Sequence, residues 1–102
     1  MTIRWLRRAE EDLEALFTYV ARDSIAIAES EVKRVTDAIM DLAKHPAMGR
    51  PGRVAGTREL VVKPYIIAYR VKAETTQILR VLQMEAPSWK TGAKKKIARP
   101  GN

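Results

Sequence analysis

The fold is predicted most directly from residues 57–84, TRELVVKPYIIAYRVKAETTQILRVLQM. Apolar and polar residues alternate along it or form short continuous apolar runs, and both patterns are typical of β-strands. Two short segments, Lys63-Pro64 and Ala73-Glu74-Thr75, interrupt the pattern as turns. We therefore predict strands at residues 57–63, 65–72 and 76–84. Consecutive strands should pair as antiparallel hairpins, because the connections between them are short.

Two helices are predicted upstream, because apolar residues recur there at steps of three and four. Either Asp23 or Ser24 can cap the second helix, and Pro46 ends it. Residues 46–56 have the composition of a loop, and residues 2–5 alternate like a short opening strand. The apolar stripes are Ala9, Leu13, Leu16, Phe17 and Val20 in the first helix and Ala28, Val32, Val35, Ile39 and Leu42 in the second.

These elements predict an α+β domain in the order β-α-α-β-β-β. The helices should form an antiparallel hairpin, whose apolar stripe can be buried only against one face of an antiparallel sheet. The opening strand should join an edge of that sheet. We expect the domain to span residues 1–84, followed by a basic C-terminal tail at residues 85–102 that contains Lys94-Lys95-Lys96.

Charge is divided unevenly along the chain. Residues 1–43 hold six basic and nine acidic side chains, whereas residues 44–102 hold thirteen basic and three acidic ones. Such a basic half favours polyanions or acidic proteins as partners. The absence of cysteine excludes disulfides, thiolate nucleophiles and cysteine-based metal sites. We see no cluster of metal-ligating residues and therefore expect neither metal nor cofactor.

Membrane insertion and secretion are not expected. No apolar run approaches the roughly 20 residues of a membrane span, and the N-terminus does not read as a signal peptide. These observations predict a cytoplasmic protein without membrane association.

Several segments resemble the RelE/ParE superfamily of toxins, in that family's order. They are Ile3-Arg4-Trp5 with Ala9 and Asp12-Leu13, HPAMGRPGR at residues 45–53, GTRELVV at 56–62, YIIAYRV at 65–71 and ILRVL at 78–82. The resemblance covers residues 3–84, is nearer the ParE branch, and implies the RelE/ParE fold.

The resemblance implies the toxin of a type II toxin–antitoxin system, which arrests growth and is neutralised by a cognate antitoxin. It implies a ParD-like antitoxin of the ribbon-helix-helix class, a hetero-oligomeric complex with it, and contact with operator DNA only through it. For the ParE branch the implied target is DNA gyrase. The alternative is a ribosome-dependent mRNA endoribonuclease of the RelE type. A non-toxic nucleic-acid-binding regulator ranks last, because no motif supports it.

The residues at two positions argue against the nuclease. Tyr65 stands where nuclease-type relatives have an arginine, and Gln83 stands where many have a histidine. Metal-free RNA cleavage needs a base and an acid, and a glutamine cannot exchange a proton near neutral pH. We therefore expect no catalytic residue and lean towards a toxin that is not an enzyme.

Basic and aromatic side chains of the second half are the candidate contacts with the target or the antitoxin. Arg80 is the strongest of them, since an unpaired guanidinium in an apolar strand must find a partner or a cleft. The alternative interpretation is a solvated loop in which Arg58 or Arg70 pairs with Glu59. The candidate set is Arg50, Arg53, Arg58, Arg70, Arg80 and Trp89.

Other side chains have simpler interpretations or a different partner. His45, at a helix end, is expected to cap carbonyls or to meet solvent, and the neighbouring Tyr65 and Tyr69 are expected in the core. Tyr19, Ile25 and Ile27 fall off the apolar stripes of the helices. Exposed apolar groups of this kind suggest a partner surface, and we expect these three residues to form the antitoxin groove.

Overall fold

The computed structural model describes residues 2–84 and contains two helices that pack on a five-stranded sheet. The predicted α+β architecture is confirmed, and the predicted long strands agree with the observed ones to within one residue at each end. In chain order the elements are β1 Thr2–Trp5, α1 Arg7–Ala21, α2 Ile25–Lys44, β2 Arg50–Pro51, β3 Arg58–Val62, β4 Tyr65–Lys72 and β5 Thr75–Gln83.

Helix α2 has the ends that its sequence predicts. At the start, Ser24 Oγ accepts a hydrogen bond from the Ile27 N–H at 3.1 Å, so Ser24 and not Asp23 is the capping residue. At the end, the His45 N–H donates to the Asp41 carbonyl at 3.0 Å, and the rest of His45 is exposed. Both interpretations of His45 therefore hold in part, since its backbone N–H caps a carbonyl of α2 while the residue is exposed to solvent.

The core lies between the helices and one face of the sheet. Tyr65 and Tyr69 belong to it, and Trp5 packs against it partly buried. Each large apolar side chain buried there contributes roughly 1.5–3 kcal/mol relative to exposure. The largest fully buried side chains are Tyr69, Ile39, Leu42, Ile67, Ile78, Val35 and Thr76.

The sheet has the strand order β1-β5-β4-β3-β2 and differs in two details from the expected one. First, it is mixed, because β1 pairs with β5 in parallel. Hairpins fix only the relative directions of β3, β4 and β5, whereas the long connection through two helices lets β1 run either way. Second, the predicted loop at residues 46–56 contains the two-residue strand β2, which pairs with β3.

A β-bulge in β5 decides which side chains of that strand reach the core. The register passes from Ala68 opposite Arg80 to Tyr69 opposite Ile78, which leaves Leu79 as the extra residue. Ile78 and Val81 are consequently both buried in the core. Strict alternation from Ile78 would have put Arg80 there, so the bulge keeps a guanidinium out of the apolar interior.

The face of the sheet turned away from the helices is called the outer face below. Successive side chains of each strand point alternately to the outer face and to the core, and residues paired across strands share a face. It includes Arg4 on β1, Gln77 and Arg80 on β5, Ala68 and Arg70 on β4, and Glu59 on β3.

Candidate functional site

Arg80 forms an ion pair with Asp12 of α1. The Nε atom donates to Asp12 Oδ2 at 2.7 Å and Nη2 donates to Oδ1 at 3.1 Å, a bidentate arrangement. Asp12 Oδ2 also accepts the Val81 N–H at 2.9 Å. This N–H lies beyond the last residue of β5 that β1 covers, Ile78. The Asp12 carboxylate thus accepts a backbone N–H that no strand pairs with at this edge of β5. It is also the partner that the sequence predicted for Arg80.

The ion pair shifts the proton equilibria of both side chains. Burial alone would raise the pKa of Asp12. The hydrogen bonds from Arg80 and the Val81 N–H, with the charges of Arg80 and Arg8, outweigh burial and lower it. The hydrogen bond to Asp12 raises the pKa of Arg80. Both groups are charged at neutral pH, and each neutralises the other.

Glu59 is paired with two arginines of the preceding loop. Its Oε1 lies 3.3 Å from Arg50 Nη2, and its Oε2 lies 3.8 Å from Arg53 Nε and accepts the Arg53 N–H at 3.4 Å. The alternative interpretation of the sequence, in which Arg58 or Arg70 pairs with Glu59, is therefore wrong about the partner. Arg50 stands directly opposite Glu59 across the β2–β3 pair, whereas Arg58 is the next residue along β3 and points to the other side of the sheet.

Arg58 instead holds the loop that follows α2. Its Nη1 donates to the Gly49 carbonyl at 2.6 Å and to the Ala47 carbonyl at 3.4 Å. Tyr69 reinforces this loop, since its hydroxyl donates to the Pro46 carbonyl at 2.7 Å and accepts the Gly49 N–H at 2.9 Å. These contacts were not predicted from the sequence. The glycine at position 49 could have indicated a close approach of another residue, because an added Cβ there would lie 2.6 Å from Tyr69 Oη.

A cleft of about 250 Å³ on the outer face brings several site residues together. Arg53 and Arg80 stand at its walls with Glu59, over an apolar floor that includes Ile66 and Leu82. Arg70 does not line this cleft, and its Nε donates to Gln77 Oε1 at 2.6 Å. Arg58 lies on the core side of the sheet. Among the candidate arginines, Arg53 and Arg80 are therefore the ones that share a concave surface.

Tyr19, Ile25 and Ile27 surround the turn between the two helices and are all exposed, with 63%, 62% and 56% of their surface accessible. The Arg22 guanidinium lies 5.1 Å from the centre of the Tyr19 ring, a cation–π contact. Tyr19 also lines a second cleft of about 300 Å³ between α1 and β5, where it meets Tyr65 and Leu82. The apolar surface at this end of the helices continues into that cleft.

The Tyr65 hydroxyl is turned towards the helices and donates to Glu31 Oε1 at 2.9 Å. Burial, the hydrogen bond to Glu31 and the negative charge of Glu31 raise the pKa of Tyr65 to about 12. At neutral pH the phenol therefore keeps its proton and cannot act as a base. Gln83, opposite it on β5, is exposed.

Residues 2–84 contain no group of three His, Asp or Glu side chains that could hold a metal ion. Neither α1 nor α2 is long and apolar enough to cross a membrane. Trp89 and the rest of the expected tail at 85–102 lie outside the described residues.

Comparison with known proteins gives a consistent result. The family described as ParE toxin of type II toxin–antitoxin system, parDE, matches residues 3–86. A protein of Sinorhizobium fredii named as a toxin, Y4kP, is 43% identical over 82 residues, which cover 78% of this chain and 84% of Y4kP.

Two solved structures are similar in both fold and sequence. One is from the chromosomal ParDE system of P. aeruginosa, with a TM-score of 0.74, 31% identity and coverage of 83% of this chain and 97% of that one. The other is from the RelBE2 toxin–antitoxin complex of Mycobacterium tuberculosis, with a TM-score of 0.57, 30% identity and coverage of 80% and 95%.

Proposed function

Because the chain belongs to the ParE toxin family of type II toxin–antitoxin systems, we propose that it inhibits DNA gyrase and is held inactive by a ParD-like antitoxin. The proposed antitoxin has a ribbon-helix-helix fold, and operator DNA is contacted only through it. The toxin domain spans residues 1–84, the basic tail spans 85–102, and the protein acts in the cytoplasm.

The state of Tyr65 is the observation that carries gyrase inhibition over RNA cleavage. Its hydroxyl is bound to Glu31 and its pKa is about 12, so Tyr65 supplies neither the positive charge that an arginine would place there nor a base. Two further candidate groups are engaged in ion pairs, Arg80 with Asp12 and Glu59 with two arginines. General acid–base catalysis typically supplies about 10²–10⁴ in rate, and these side chains are poorly placed to supply it.

The antitoxin is proposed to cover the apolar surface of Tyr19, Ile25 and Ile27 and to place acidic residues on arginines of the segment after α2, such as Arg50 and Arg53. Large exposed side chains near the turn between α1 and α2 leave apolar area for a partner to bury. Arg50 and Arg53 keep 57% and 84% of their side-chain surface exposed despite their pairing with Glu59. These arginines, with Arg58, Arg70, Arg80 and Trp89, remain the proposed contacts with antitoxin or target.

We expect the purified toxin to inhibit supercoiling by gyrase and to leave ribosome-bound mRNA intact. Expression alone should arrest growth and induce DNA-damage repair, and co-expression of the antitoxin should restore growth. The measurements are a supercoiling assay and primer extension on translating extracts, with the toxin–antitoxin complex as control. Codon-specific cuts with unaffected supercoiling would establish the endoribonuclease instead.

The variant Tyr65→Phe sharpens this comparison, because it removes only the hydroxyl. We expect full gyrase inhibition from it, since the hydroxyl bonds Glu31 inside the protein. A nuclease that uses this phenol would instead lose its cuts. Arg80→Ala is a poorer probe, since it leaves Asp12 without its charged partner and alters stability as well as any contact with the target.

We expect Tyr19→Glu and Ile25→Glu each to weaken antitoxin binding about 30-fold or more, as at a central interface residue. The control is Met40→Glu, because Met40 is equally exposed, at 64%, but lies about 22 Å further along α2 than Ile25. Isothermal titration with the antitoxin measures the difference. Equal affinity of all three variants for the antitoxin would mean that the antitoxin does not bind at this end of the helices.

A further inference from the structure

A group of cations that sequence analysis did not bring together lies at one end of the outer face. The register sets Arg4, Gln77 and Arg70 side by side across β1, β5 and β4. It sets Thr2, Thr75 and Lys72 side by side in the next row. The six residues are called the basic patch, and they are Thr2, Arg4, Arg70, Lys72, Thr75 and Gln77.

The cations of the basic patch are exposed, and no acidic residue of the described range forms an ion pair with them. Within residues 2–84, the ion pairs do not include Arg4, Arg70 or Lys72. Among the described residues, the Arg70 side chain donates its hydrogen bond to the neutral amide of Gln77. In this the patch differs from the centre of the outer face, where Glu59 and Asp12 neutralise arginines.

The neutral members of the patch are hydrogen-bonding side chains. Thr2, Thr75 and Gln77 can all donate to an anionic oxygen. Each row crosses the adjacent strands β1, β5 and β4. Neighbouring strands are about 4.8 Å apart, so the backbones of Arg4 and Arg70, two strands apart, are separated by about 10 Å. Unpaired cations interleaved with neutral donors on an open sheet surface are suited to a row of phosphates and offer nothing that reads bases in a groove.

We propose that the basic patch binds the phosphate backbone of duplex DNA without sequence preference. The choice of duplex DNA rests on the proposed function, because gyrase acts on a DNA duplex that a bound toxin would adjoin. Acidic segments of the antitoxin are proposed to contact Arg50 and Arg53, which lie at the opposite edge of the sheet from Arg4. The antitoxin is therefore not expected to need Arg4 or Arg70.

The test measures binding of the full-length toxin to a fluorescent 20-base-pair duplex by anisotropy across a salt series. Each cation that neutralises a phosphate contributes about 0.9 to the slope of log affinity against log salt. We expect the double variant Arg4→Gln, Arg70→Gln to lower that slope by about 1.8. The affinity of the wild type should fall about tenfold more than that of the double variant between 50 and 200 mM salt.

Two control proteins isolate the patch. Lys33→Gln removes a cation on α2 that already pairs with Asp37 at 2.7 Å, and it should leave the slope unchanged. Arg4→Lys, Arg70→Lys keeps both charges and should keep the wild-type slope. All variants retain Lys94, Lys95 and Lys96, so a difference between them arises from the patch. Thermal melting verifies that each variant is folded.

Three results would overturn the proposal. The first is a double variant whose slope equals that of Lys33→Gln. The second is tighter wild-type binding to single-stranded RNA than to the duplex, which would assign the patch to RNA. The third is normal DNA binding by the double variant with weakened antitoxin binding, which would assign it to the antitoxin. The anisotropy assay contains no gyrase, so a failure of gyrase inhibition is scored separately.

Discussion

Replacing Tyr69 by alanine is expected to lower the free energy of unfolding by about 3–5 kcal/mol, the usual cost of truncating a large aromatic core side chain. Tyr69 is fully buried and belongs to the core between helices and sheet. A domain of this size has roughly 5–15 kcal/mol of stability. The variant should therefore lose a large part of its stability and unfold at a lower urea concentration than the wild type, which circular dichroism will measure.

Tyr69→Phe separates the ring of this residue from its hydroxyl. The hydroxyl joins the Pro46 carbonyl and the Gly49 N–H, and phenylalanine would leave both without that partner. We expect a loss of about 1–3 kcal/mol, the usual cost of unsatisfied buried polar groups. A loss below about 0.5 kcal/mol would mean that water replaces the hydroxyl and that the loop does not depend on it.

Gly49→Ala tests the same contact from the loop. A Cβ at residue 49 would meet Tyr69 Oη at 2.6 Å and the Glu59 carbonyl at 2.8 Å, so loop or strand must shift. Destabilisation by about 1–3 kcal/mol is expected from such overpacking. The exposed Gly56 is no matched control, because its positive φ of 83° penalises alanine independently of space.

Replacing Asp12 by alanine is expected to lower the free energy of unfolding at pH 7 by about 1–3 kcal/mol. The change leaves Arg80 without its partner and the Val81 N–H without its acceptor. The loss should be smaller than for a fully buried ion pair, because 34% of the Arg80 side chain and 18% of that of Asp12 are accessible to solvent. The matched control is Asp37→Ala, which breaks an exposed pair with Lys33 and should change stability by about 0.5 kcal/mol or less.

The effect of Asp12 should depend on pH in one direction. The pKa of Asp12 is lowered by folding from an ordinary value of 3.8. A carboxyl whose pKa falls on folding contributes stability that is fully present above its unfolded pKa. The contribution is lost as the pH falls through the lower folded value. Wild type and Asp12→Ala should therefore differ most at pH 5–7 and converge below about pH 3.8.

A double-mutant cycle with Arg80→Ala isolates the pair. Side chains in direct contact show coupling energies of about 0.5–3 kcal/mol, and we expect a value in that range at pH 7 that decreases as the pH falls below 3.8. Additive effects at pH 7 would mean that Asp12 acts only through the Val81 N–H. A gap between wild type and Asp12→Ala that widens on acidification would contradict the direction of the pKa shift.

Periodicity was sufficient for the two helices and the three long strands, because it shows which side chains are buried on folding. The period of three and four placed both helices, and the period of two placed β4 at its observed ends. Several core positions followed for the same reason, with Ile67 and Tyr69 buried on the face that alternation assigns to them, although Val71 on that face is 41% exposed. Ser24 was one of two predicted caps because a short polar side chain is needed at the start of α2.

The partners of the charged residues could not be read from the sequence, because they depend on register and not on spacing along the chain. Strict alternation on β5 puts Arg80 in the core, and the bulge at Leu79 directs it to Asp12, 68 residues earlier. Glu59 pairs with Arg50 and Arg53 because a two-residue strand forms in a segment with a loop composition.

The α+β class, the helix hairpin, the three long strands and the family could all be predicted from the sequence, since local patterns and their order carry each of them. The tertiary structure decided the direction of β1, the partner of Arg80 and the basic patch around Arg4 and Arg70. Arg4 and Arg70 are 66 residues apart in the chain, and only the pairing of β1 and β4 with β5 brings their charges onto one surface. Electrostatic energy depends on distance in space, and that distance is fixed by hydrogen-bonded register.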